Sequence, residues 1–176
     1  MTWRFVLTPL GPAALESFLH LPNLVFHEAG HVLLMPFGRF MSVLGGSLLQ
    51  VLVPLICAAA FYRQQRDRFA TAICAWWAGQ SLIDLAPYVA DARALRLVLL
   101  GGRTGAEVEG HDWEYLLTAT GLLQWDVALG TLTHFAGSLA MTGALVWAAL
   151  LVARREEDRD SDAREGGPEG PPLLER

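Results

Sequence analysis

The chain has 176 residues, of which 53% are apolar and 18% charged, and its mean hydropathy is +0.34. A soluble domain averages about 25% charged residues, and here 13 of the 31 formal charges sit in the last 23 residues. What remains is too apolar for an ordinary soluble domain. A net charge of −5 without any basic cluster excludes a nucleic-acid-binding surface.

These proportions predict an all-α, polytopic integral membrane protein. The N-terminal stretch is broken by Pro9, Gly11 and Pro12 and lacks the plan of a signal peptide, so it is expected to be retained. Four segments follow as candidate spans: Ser17–Gly38, Phe40–Phe61, Phe69–Ala90 and Val127–Ala153. A bilayer core needs about 20 helical residues, which each can supply. Between the third and fourth spans, Ala92–Leu100 is expected to form a short helix or interfacial segment. Gly101–Gly110 reads as a loop, and Trp113–Trp125 as an interfacial helix capped by Asp112. Residues 1–153 are thus expected to form one membrane-embedded domain, and 154–176 a disordered charged tail. Arginines in Tyr62–Arg68 and at Arg154–Arg155 predict cytoplasmic placement of those ends, with both termini cytoplasmic and the protein in a bacterial plasma (inner) membrane. Cys57 and Cys74 lie in apolar segments and read as free thiols.

The chemistry concentrates in His27-Glu28-Ala29-Gly30-His31. On a helix, residues four apart share a face, so the two imidazoles can grip one Zn2+. Glu28 lies beside that face and can serve as base toward water that the ion activates. A glutamate and two histidines inside an apolar span are costly unless paired or functional. A catalytic zinc takes three protein ligands, and the third must come from elsewhere. Asp84 in the third span matches the depth of the histidines. Asp91 follows at i+7 on the same helical face. His111 and Asp112 come next on the same side, Asp112 reading first as a helix cap. His20 and His134 read as an interfacial and a helix-bonding histidine.

An HEAGH block inside an apolar segment of a small multi-span chain resembles the site-2 protease family of intramembrane zinc metallopeptidases. The resemblance implies that His27 and His31 bind zinc, that a later Asp completes the site and that Glu28 is the base. The family's Asp-Gly pair is absent, because Asp84 stands in Leu82-Ile83-Asp84-Leu85-Ala86-Pro87. The blocks Asp91-Ala92-Arg93-Ala94 and Gly110-His111-Asp112-Trp113 also resemble a group of small bacterial HExxH membrane proteins, which favours Asp91 and His111 over Asp84. The expectation is a zinc metallopeptidase acting on a membrane protein or peptide substrate in or near the lipid bilayer. The alternatives are a non-proteolytic membrane metal-binding protein, a lipid hydrolase or an inactive structural subunit.

Overall fold

A computed structural model describes residues 2–8, 10 and 15–165, with backbone alone for 163–165. The described residues form six α-helices in order: α1 (Thr2–Leu7), α2 (His20–Leu34), α3 (Arg39–Ala60), α4 (Arg68–Ala90), α5 (Asp112–Ala119) and α6 (Asp126–Glu165). The described residues form no strand, only an isolated bridge between Val98 and Thr104. The architecture is all-α.

Local chemistry sets the turns. A 3-10 turn over Met35–Phe37 ends α2, and Gly38, at φ +94°, reverses the chain into α3. Only glycine tolerates that backbone cheaply. After α3 a π turn covers Phe61–Gln65, Arg66 adopts a left-handed conformation, and the Asp67 side chain accepts the Ala70 N–H to cap α4. The resulting α2–α3 hairpin closes tightly because Gly30 faces Gly45, where either Cβ would strike the other's backbone.

Helix α4 is the central element, with residues such as Ala72, Ala78, Ile83, Leu85, Ala86 and Val89 buried. It packs against α6 through small residues. A Cβ at Gly137 would fall 2.6 Å from the Gly79 carbonyl oxygen, and one at Gly130 would fall 2.7 Å from that of Ala86. Close backbone approach of this kind gives two helices extensive van der Waals contact. Phe5 of α1 completes a cluster with Ile83, Met141 and Trp76. His134 secures it by donating from Nε2 to the Phe5 carbonyl, 2.9 Å away.

Several expectations change. Among the described residues two helical stretches, not four, are long and apolar enough to cross a membrane: Arg39–Gln65 and Leu123–Asp162. Helix α2 has 15 residues, about 22 Å at 1.5 Å per residue, short of a hydrocarbon core of about 30 Å. Helix α4 has 23 residues, but Thr71, Gln80, Ser81 and Asp84 lower its hydropathy and lie buried in the helix packing. Ala92–Leu100 is not helical. Asp91 gathers it into a turn by accepting the Arg96 and Leu97 N–H groups, and Leu95 takes φ +54°. Trp113–Trp125 is not one helix, since Gly121 at φ +71° separates α5 from a 3-10 turn at Leu123–Trp125. Asp126 is buried at the α6 start and pairs with Arg93 at 2.7 Å. The charged segment expected to be disordered from residue 154 continues α6 to Glu165. There, Arg and Glu extend an already nucleated helix at little cost. Residues 166–176 lie outside the described residues. Cys57 and Cys74 are free thiols.

Candidate metal centre

Helix α2 carries His27 and His31 on the face turned toward α3 and α5. Glycine at position 46 lets the α3 backbone run directly beneath them, since a Cβ there would lie 2.6 Å from both Nε2 atoms. From the opposite side, α5 delivers its first residue. Asp112 Oδ2 stands 2.9 Å from His27 Nε2 and 3.3 Å from His31 Nε2. One ligand atom from each of the three residues falls within 4.8 Å of the others. Donors about 2.05 Å from a tetrahedral ion lie about 3.3 Å apart. The two Asp112 contacts, at 2.9 and 3.3 Å, lie near that spacing, so the group could hold a small divalent cation.

Both imidazoles are held from behind. His27 Nδ1–H donates to Gln50 Oε1 at 3.0 Å, and His31 Nδ1–H donates to the Ser42 carbonyl at 2.9 Å. Ser42 Oγ–H returns a bond to the His31 carbonyl. With each Nδ1 engaged, each Nε2 faces Asp112. Metal-binding histidines are commonly oriented by such partners on the remote nitrogen.

Helix α5 is fastened at three points. The Asp112 N–H donates to Tyr88 Oη at 2.9 Å, and Trp113 Nε1–H donates to Ser47 Oγ at 3.1 Å. Arg39 lies over the Tyr115 ring, 4.4 Å from its centroid. Burial pushes the Asp112 carboxyl up, but hydrogen bonds from His27 and His31 outweigh it and hold the group below its ordinary value.

The other sequence candidates fall around this cluster, not in it. Asp84 is one layer deeper, taking hydrogen bonds from Asn23 Nδ2, Gln50 Nε2 and His20 Nδ1. Asp91 is occupied by the turn it closes. His111, not Asp112, caps α5, its Nδ1 accepting the Glu114 N–H at 3.2 Å. Burial holds His111 below its ordinary value, in keeping with a neutral ring whose Nδ1 can accept. Its Nε2 points at Asp91, 3.6 Å away. Asp112 thus takes the place that the sequence offered to Asp84, Asp91 or His111. Gln50, the residue behind His27, was signalled only as an isolated amide in an apolar helix.

Glu28 is exposed and lines the same cleft, a space of about 750 Å³. Its floor is polar, with His20, His27, His31, Asp84, Tyr88 and Asp112. Leu24, Leu85 and the turn Leu97–Gly102 form apolar walls. Comparison with protein-family models, curated proteins and solved structures gives no match for this chain.

Proposed function

We propose that the chain is an integral membrane zinc hydrolase of the metallopeptidase type, similar in chemistry to the site-2 proteases. The observation that carries this is the convergence of His27, His31 and Asp112 beside Glu28 in one cleft. Two imidazoles and one carboxylate are a donor set that zinc accepts while keeping a position open. The ion would supply Lewis acidity and lower the pKa of coordinated water to about 7. Glu28 would be placed to take a proton from such a water and return it to the leaving amine. Tyr88 and the α5 cap keep Asp112 in place, and the apolar walls take up neighbouring substrate side chains.

Membrane residence is supported by the two long apolar helices and by bulky side chains left exposed along α2, α3 and α6. They include Val25, Val32, Leu33, Leu55, Ile56, Leu132, Phe135 and Leu139, each at least 45% exposed. In water such a surface would drive aggregation. With the arginines of 62–68 and 154–155 in the cytoplasm, α3 and α6 run inward together. The cleft, near the start of α3 and the end of α4, then opens toward the other side.

The apolar walls of the cleft also suit an acyl chain, so hydrolysis of a lipid ester is the second reading. Purified protein in liposomes, offered membrane peptides and phospholipids in parallel, separates the two. Peptide cleavage abolished by Glu28→Gln with zinc retained is the expected result. Cleavage that persists in that variant removes Glu28 as the base.

A further inference from the structure

Behind His27 lies a chain of buried amides and a carboxylate that adds no ligand to the candidate metal centre. It begins at Trp77, whose Nε1–H can only donate, and which gives its proton to Asn23 Oδ1 at 2.9 Å. Ser81 Oγ–H donates to the same oxygen at 3.2 Å. The Asn23 amide is therefore fixed with its NH2 toward Gln80 Oε1, at 2.8 Å, and Asp84 Oδ2, at 3.0 Å. Gln80 in turn leaves its own Nε2 without a partner among the described residues. Asp84 Oδ2 also takes the Gln50 Nε2–H at 3.2 Å, and the Ser81 carbonyl takes the other Gln50 proton at 3.4 Å. Asn23, Gln50, Gln80 and Asp84 are each at most 3% exposed.

We infer that Asp84 is a positioning residue that sets the proton of His27 through Gln50, resting on the metal-site reading above. A side-chain amide can be turned end for end, and the two orientations have opposite consequences here. With its NH2 held by Asp84, Gln50 must present Oε1 to His27 Nδ1, which then keeps the ring proton. Nε2, which stands 2.9 Å from Asp112 Oδ2, is then the nitrogen whose lone pair an ion shared with His31 and Asp112 would take. Turned over, Gln50 would offer an N–H to Nδ1, move the ring proton to Nε2 and block the ligand position. His31 needs no such relay, because the Ser42 carbonyl behind it can only accept. The inward acid that the sequence offered as a ligand thus acts on the ligand through one intervening residue.

The link needs an acceptor at position 84, not a negative charge, and this decides the test. Full-length protein in detergent is titrated with Zn2+ against a chelator. Asp84→Ala, where a water could donate or accept, is expected to weaken zinc binding on the order of tenfold or more. Asp84→Asn is expected to restore it to within a few fold, its Oδ1 taking the place of Oδ2 and its NH2 facing His20. Gln50→Leu should lose as much as Asp84→Ala, and the double variant no more than Gln50→Leu alone. Equal losses in Asp84→Ala and Asp84→Asn would mean that charge matters and would overturn the inference. So would losses that multiply in the double variant, or Gln50→Leu binding like wild type.

A second readout needs no metal. In 15N-histidine-labelled protein carrying Asp112→Ala, where no carboxylate competes for a proton on Nε2, His27 should carry its proton on Nδ1 with Asp or Asn at position 84, and shift toward Nε2 when Asp84→Ala is added. An unchanged tautomer in Asp84→Ala contradicts the relay even if the wild type binds no zinc, an outcome that would separately defeat the metal reading.

Discussion

His27 Nε2 stands 2.9 Å from Oδ2 of Asp112, a residue 85 positions further along the chain. That contact joins the HExxH helix to the first turn of α5, and everything between them serves to bring the two together. Helices α3 and α4 build the back wall. The turn closed by Asp91 and the cap formed by His111 set where α5 starts.

The glycine beneath the histidines is the most sensitive point of the wall. In Gly46→Ala the new methyl would lie 2.6 Å from both Nε2 atoms, so both rings must shift from the positions they hold beside Asp112. Zinc affinity should fall roughly tenfold or more, by analogy with loss of a ligand-orienting contact, while helix content by circular dichroism stays. Unchanged affinity would show that the rings tolerate the displacement.

The ligand assignment separates residues that look alike in sequence. Asp91→Asn and His111→Ala should keep zinc, and Asp112→Ala should lose it. His111→Ala should also cost about 1 kcal/mol through the lost α5 cap. Melting curves read in parallel with zinc titrations distinguish the two effects. Loss of zinc in Asp91→Asn with retention in Asp112→Ala would reverse the assignment.

The contrast with sequence reading has a definite physical origin. The all-helical fold and the His27–Glu28–His31 face follow from apolar periodicity and four-residue spacing, which are local properties. The third member of the cluster depends on where a 21-residue connection between α4 and α5 returns to the bundle, and no local pattern encodes that. Asp112 carried the two signals of a helix start and a polar block, and the cap was the simpler reading. Asp84 was legible as a buried acid with a task. Its partners Asn23 and Gln50, 61 and 34 positions away, decide what the task is. The short α2 and the broken Trp113–Trp125 segment were hidden because hydropathy averages over the turns at Met35–Phe37 and Gly121.

Stability should respond at the α4–α6 seam. A methyl at Gly137 would fall 2.6 Å from the Gly79 carbonyl oxygen and 2.7 Å from Ile83 Cγ1. Gly137→Ala should destabilise by about 1–3 kcal/mol through overpacking, whereas Gly143→Ala, where among the described residues no atom beyond its own helix turn lies within 4 Å of the added methyl, should be close to neutral. Detergent-solubilised unfolding curves for the pair provide the comparison. Equal stability of the two variants would refute this packing.

Acid dependence follows from Asp112. Its folded value is depressed, so its contribution to stability is present above the unfolded value of about 3.9 and lost as pH falls through the lower folded value. In metal-free protein, the melting advantage of wild type over Asp112→Asn should be full at pH 6 and fade below about pH 4. A constant difference down to the lowest accessible pH would show that the carboxylate is not held by the two histidines.

The most direct measurement is metal content by elemental mass spectrometry, on protein purified in detergent and supplied with zinc, for wild type, His31→Ala and Asp112→Ala. About one zinc per wild-type chain, lost in both variants, is the predicted result for a three-ligand site. No zinc in the wild type, or full zinc in Asp112→Ala, would contradict a centre built from His27, His31 and Asp112.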